Sequence, residues 1–255
     1  MAFPFFTFAN LIVLYPYKGD DIMFIPMDKE LKVATLVCPG VFLPDIVNAH
    51  TAFSLSPNAK TYLVWKDLEP FAAYNGWPMA ATTTFEQCLE VDVLLVGMMA
   101  PDSAADPEVL AFIERQAKQA KAVIGICYGV LVLGSAGLLT GKKATSNFSV
   151  GEDLREFGAE PVLTSEVVVD GNLYTAGPAH GCFEAAIEVL TALRGPETGK
   201  MLELMMEYNP HPKFKVGSPL IAGEELAQKF FSEGAGRTHV YMEAARRGYK
   251  MMNAD

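Results

Sequence analysis

The sequence predicts an α/β fold: a doubly wound, mostly parallel sheet with helices on both faces. Three observations predict it. Short apolar runs bounded by turn residues alternate with helical periodicity from Leu31 onward. Three of those runs are nearly continuous in apolar residues, as strands covered on both faces require. A cysteine, Cys127, falls where one run, Ala-Val-Ile-Gly-Ile (122–126), gives way abruptly to Tyr128-Gly129 and a glycine-punctuated helix.

The elements follow in order. Met1 to Tyr17 is strongly apolar, but it lacks a positive leading region and contains Pro4 and Pro16. It reads as extended structure packed on the body or on a partner subunit rather than as a signal peptide or a span. Gly19-Asp20-Asp21 is then a turn, with Ile22 to Met27 a short strand. Residues 1–30 form this extension, and residues 31–255 form one domain ending in helices. Strands are predicted at Leu31–Cys38, Thr61–Trp65, Val91–Val96 and Ala122–Ile126. Pro44-Asp45 opens a helix that runs through Phe53. Asp106-Pro107 is an N-cap with proline at the first helical position; Val109, Leu110, Ile113, Ala117 and Ala120 make its apolar face. Ser149 with Glu152 forms a capping box, and Gly158 ends that helix. Val167–Val169 and Leu173–Thr175 flank Asp170-Gly171 as a hairpin. Helices follow at Phe183–Leu193 and from Pro196 to Tyr208. Asn209–Gly223, with three prolines, connects to a tail read as two amphipathic helices, Gly223 to Lys250.

Composition narrows the function. The formal net charge is −10, with no Lys/Arg run, which argues against nucleic acid and anionic membrane as partners. The four cysteines, Cys38, Cys88, Cys127 and Cys182, show no Cys-x-x-Cys spacing, so neither a zinc site nor a disulfide framework is suggested. A reducing cytosol is the simplest compartment.

In a parallel α/β sheet, ligands bind at the carboxyl ends of the strands, near a topological switch. Cys38-Pro39-Gly40, Gly97-Met98-Met99 and Cys127 all fall at strand ends, so their loops should meet around one pocket. Cys127 at a strand–turn–helix junction reads as the cysteine version of a nucleophile elbow. The helix N-terminus beneath it is expected to favour thiolate. The alternative is a buried cysteine acting as a small hydrophobe.

Several segments resemble the ThiJ/PfpI superfamily, the class I glutamine amidotransferase-like group with a flavodoxin-like fold. They are Ile126-Cys127-Tyr128-Gly129, Gly134-Ser-Ala-Gly-Leu-Leu139, Gly141-Lys-Lys-Ala-Thr145 and Asp170-Gly-Asn-Leu-Tyr-Thr175. Leu63-Val-Trp-Lys-Asp-Leu68, Thr82-Thr-Thr-Phe85, Leu110-Ala-Phe-Ile113, Glu207-Tyr208 and Gly217-Ser-Pro219 are similar to its isonitrile (isocyanide) hydratases. The resemblance implies that Cys127 is the nucleophile and Asp45, in Phe42-Leu-Pro-Asp45, its acidic partner. It also implies a homodimer without metal or organic cofactor, acting on a small hydrophobic substrate. The implied reaction is attack of Cys127 on an isonitrile carbon, proton handling by Asp45, and hydrolysis of a thioimidate to an N-substituted formamide.

This chain departs from the hydratase pattern at four places. Met98-Met99 stands where a Gly-Gly pair is usual and would fill the pocket with soft apolar surface. Tyr128 replaces a small residue after the cysteine and brings a phenol that could act as an acid. A histidine usual after the next strand is absent from Ala144-Thr-Ser-Asn147. His180 stands where threonine is usual, in Ala176-Gly177-Pro178-Ala179-His180-Gly181. It is read either as a base or acid facing Cys127 or as a helix-start residue bonded to backbone. Gly97, Gly129, Pro39, Gly40 and Asn147 complete the expected pocket. His50 is read as structural or at a subunit contact, and His211 and His239 as surface residues. Asp102 is read as loop, and Cys38 and Cys182 as packing. Two other functions stay open: a diverged enzyme of the same fold using His180 or Tyr128 as acid–base, and a non-enzymatic cysteine redox sensor whose sulfinate Asp45 stabilises.

Overall fold

The computed structural model describes residues 24–254. Strands β1 (Leu31–Leu36), β2 (Ala59–Trp65), β5 (Thr83–Thr84), β6 (Val93–Val96), β7 (Ala122–Ile126), β10 (Val168–Asp170) and β11 (Leu173–Ala176) form the central sheet. Its order is β10-β11-β7-β6-β1-β2-β5. Every neighbouring pair is parallel except the β10–β11 hairpin at one edge. Two short ribbons lie apart from it: β3 (Phe71–Ala72) with β4 (Pro78–Met79), and β8 (Lys143–Ala144) with β9 (Glu160–Pro161).

The central strands β6 and β7 are buried along their whole length. Their apolar runs are therefore covered on both faces, the condition that a buried parallel sheet demands. Helices α1 (Val47–Leu55), α2 (Pro107–Ala117), α3 (Gly129–Ser135), α4 (His180–Arg194), α5 (Pro196–Met205) and α6 (Glu224–Met252) complete the chain. The Asp106 side chain caps α2, accepting from the amides of Glu108 and Val109 at 3.0 and 3.2 Å.

Some expectations are corrected. The tail is a single 29-residue helix, α6, and not two. Ser149 caps no helix: Glu152–Phe157 is a 3₁₀ turn preceded by Gly151, ended by left-handed Gly158, and Ser149 turns elsewhere. The helix expected from Pro44 is interrupted at Ile46, whose φ of −129° separates the 3₁₀ turn Leu43–Asp45 from α1. Phe24–Met27 forms no strand; the Ile25 amide donates to the Leu193 carbonyl at 2.8 Å. Met1–Met23, including the apolar segment and the turn at Gly19, lie outside the described residues. Among the described residues no helix is long and apolar enough to cross a membrane.

Candidate active site

Strand β1 leads to β2 on one side, and β6 lies on its other side, so the sheet switches direction between β1 and β6. Four loops at the carboxyl edge supply the site. The loop after β1 carries Asp45, β6 leads into Gly97-Met98, β7 into Cys127, and β11 into Ala179.

Cys127 makes the sharp turn from β7 into α3 with φ +56°, a left-handed conformation that non-glycine residues rarely adopt. Its amide donates to the Ala176 carbonyl at 3.0 Å, and its carbonyl accepts from Ser146 Oγ at 2.7 Å. A Cβ on Gly129 would lie 2.3 Å from the Val96 carbonyl oxygen, so only glycine lets α3 start this close to β6. The strain is held by these contacts, as at other functional turns.

Asp45 is fully buried. One carboxylate oxygen accepts from the Met98 amide at 3.1 Å and the other from the Ala179 amide at 3.0 Å. Burial pushes its pKa up from 3.8 to about 6, against the pull of those two amides and of the Cys127 thiol. Ala179 aims its amide by adopting φ +58°, ψ −88°, a second strained residue at the same spot. Gly97 backs the carboxylate: a Cβ there would lie 2.7 Å from Ile46 Cγ2 and 3.0 Å from Asp45 Cβ.

Cys127 is only 3% exposed. Burial, and then the charge of Asp45, push it well above the usual thiol range, while a hydrogen bond from Asn147 pulls the other way. The expected thiolate at a helix N-terminus is therefore corrected. The α3 helix is short, and desolvation beside a carboxylate outweighs its dipole. Burial and the neighbouring Asp45 therefore favour the thiol over the thiolate.

The other expected residues divide. Met98 and Met99 are both buried, and Met98 contributes its amide to Asp45. Asn147 Nδ2 lies 3.7 Å from Cys127 Sγ. Gly40 turns with φ +78° beside exposed Pro39. Tyr128, expected as an acid, directs its hydroxyl to Ser149 Oγ at 3.0 Å and Thr238 Oγ1 at 3.2 Å. His180 is exposed at the first position of α4, and among the described residues its ring has no hydrogen-bond partner. His50 Nδ1 sits 2.8 Å from Thr35 Oγ1, a structural contact, and His211 and His239 are exposed. Cys38 and Cys182 are buried, which raises both thiols to about 11. Among the described residues no group of three or more His, Cys, Asp or Glu is placed to hold a metal ion.

Sequence reasoning missed the backbone donors of Met98 and Ala179, for which no side-chain signature exists. It also missed the helix α6 contribution. Tyr241 is buried and stacks on Tyr128 with ring centroids 4.3 Å apart and planes 7° from parallel. Burial, and next the nearby Cys127 sulfur, hold its phenol far above the ordinary tyrosine range.

Comparison with known proteins agrees with this fold. The family model described as the DJ-1/PfpI family matches residues 31–192. An isonitrile hydratase from Pseudomonas putida is 35% identical over 225 residues, covering 88% of this chain and 98% of that protein. The crystal structure of a ThiJ/PfpI family protein from Pseudomonas syringae matches with a TM-score of 0.79 at 30% identity, covering 91% of this chain and 98% of that one. Drosophila melanogaster DJ-1beta, at 19% identity, matches with a TM-score of 0.64 over 71% of this chain and 100% of its own, a likeness of fold alone.

Proposed function

We propose, because this chain belongs to the DJ-1/PfpI family, that it is a cysteine-dependent hydratase converting isonitriles to N-substituted formamides. One observation carries the reading: a buried Cys127–Asp45 pair in a chain similar to an isonitrile hydratase along nearly its whole length.

The chemistry balances without a cofactor. The Cys127 sulfur adds to the terminal carbon of R–N≡C while its proton passes through Asp45 to that same carbon. An S–C and a C–H bond form, giving the thioimidate R–N=CH–S–Cys127. Water then adds to the carbon and its second proton goes to nitrogen. The C–S bond breaks, the hydroxyl proton returns to sulfur, and R–NH–CHO leaves. A carboxyl whose pKa is about 6 suits both halves of this exchange near neutrality. A neutral thiol needs that base as it attacks.

The same reading makes residues 31–255 one domain in a homodimer. Exposed apolar residues of the α5–α6 region, Leu204, Phe214, Leu220, Ile221 and Phe231, support an interface between copies. Four free, buried cysteines suit the cytoplasm. Light scattering on the eluting protein tests the dimer; a monomer mass would remove that part.

Purified protein is to be incubated with aliphatic and aromatic isonitriles and the formamide read by mass spectrometry. The wild type should form it and Cys127→Ala should not, with the far-ultraviolet spectrum of the variant unchanged. Failure of the wild type on every isonitrile would overturn the assignment.

A further inference from the structure

A continuous chain of side-chain hydrogen bonds runs from the nucleophile to the C-terminal helix. Asn147 Nδ2 reaches Cys127 Sγ at 3.7 Å. Asn147 Oδ1 accepts from the Ser149 amide at 2.9 Å and from Ser149 Oγ at 2.8 Å. Tyr128 OH lies 3.0 Å from Ser149 Oγ, and Thr238 Oγ1 lies 3.2 Å from Tyr128 OH.

The direction of every bond follows from one fixed donor. The Ser149 amide can only donate, so the Asn147 atom facing it is oxygen and its NH₂ faces sulfur. The Ser149 hydroxyl gives its proton to the same oxygen. Tyr128 must then donate to Ser149, and Thr238 must donate to Tyr128. All the donors therefore point along one line toward the sulfur. Thr238 and the stacked Tyr241 belong to α6, which begins at Glu224, beyond the 31–192 stretch that the family model matches.

The sulfur needs such a donor. Asp45 lies beside it and opposes its ionisation, whereas Asn147 is the side-chain donor that favours it. As the proton leaves for Asp45, charge grows on an atom almost sealed from water. A donor within a dry site then counts for more than one in water.

We propose that Asn147 is a catalytic residue that steadies the developing sulfur anion of Cys127, and that Ser149, Tyr128 and Thr238 are positioning residues that hold its amide toward the sulfur, so that α6 sets the reactivity of the thiol. The role in turnover rests on the hydratase reading; the effect on the thiol does not.

The test measures alkylation of Cys127 by iodoacetamide, resolved by peptide mass spectrometry, across pH. It uses the full-length wild type, Asn147→Leu, Asn147→Asp, Ser149→Ala, Ser149→Thr and Thr238→Val, with melting curves for each. Asn147→Leu should displace the rate-against-pH line toward higher pH by about one unit, a tenfold slower reaction at a given pH. Asn147→Asp, of the same size and without the donors, should be slower still. Ser149→Ala and Thr238→Val should move the line the same way by less, and Ser149→Thr should restore it. Formamide formation should fall in the same order.

Unshifted lines for both Asn147 variants, with melting unchanged, would overturn the proposal; an unshifted Thr238→Val line would remove α6 from it. A wild type that forms no formamide while the lines shift would overturn the hydratase reading alone. Formamide formation with unshifted lines would overturn the relay alone.

Discussion

Asp45 sets the pH behaviour at the scale of single residues. Its folded pKa of about 6 exceeds the ordinary 3.8, so the fold favours the protonated form. Below the ordinary value both states carry the proton and the contribution is whole. As pH rises toward 6 the unfolded chain has released its proton and the folded chain has not, so stability falls. The loss, complete above that window, is on the order of 3 kcal/mol. Asp45→Asn should show no such decline through the window in urea unfolding, and should form no formamide. Matching slopes for the two proteins would refute the assignment. Cys127 was read from the strand–turn–helix pattern at Tyr128-Gly129, whereas Asp45 entered only through the resemblance carried by Phe42-Leu-Pro-Asp45. The aim of a side chain is not written in its spacing. Tyr128 was read toward the thiol, but its ring stacks on Tyr241 and its hydroxyl turns to Ser149, partners contributed by residues far along the chain.

At the scale of elements, strands β1, β6 and β7 and the β10–β11 hairpin could be read because each is a short apolar run between turn residues. Helix α6 was misread as two. Gly234 and Gly236 interrupt its pattern, but neither meets a neighbour within 4 Å, and each costs an exposed helix only about 1 kcal/mol against alanine. Tertiary contacts further along compensate. The Ser135 hydroxyl donates to the Ala245 carbonyl at 3.1 Å, and Gly248 lies so close that a Cβ would stand 2.0 Å from the Ala104 carbonyl oxygen. Gly248→Ala should therefore lift the helix from the Pro101–Ala105 turn and lower stability by about 2 kcal/mol. An unfolding curve identical to that of wild type would show that the contact can relax freely.

The whole molecule is fastened where its described residues begin. Arg194, buried at the end of α4, donates to the carbonyls of Ile25, Pro26, Lys29 and Pro57. Among the described residues no carboxylate pairs with it directly; four backbone oxygens take its charge. The fork of the guanidinium is what reaches four acceptors at once. Arg194→Lys should lose most of these bonds and about 2 kcal/mol in thermal or urea unfolding. Limited proteolysis should then cut near Lys29 earlier than in wild type. Retained stability and retained resistance would assign the fastening to other contacts. Nothing in the sequence pattern pointed to Arg194, because its partners are carbonyls that every residue possesses.

Helix α6 also has a genetic corollary. The sulfur, its carboxylate and the entire sheet are encoded before the codons for Thr238, Tyr241, Ala245 and Gly248. A nonsense codon shortly after Tyr208 would spare Cys127, Asp45 and Asn147. It would nevertheless bare the Tyr128 ring and leave the Ser135 hydroxyl without its Ala245 acceptor. In a screen of truncation alleles, late stops should score with lesions at the cysteine itself, not with the tolerated losses usual at a carboxyl tail.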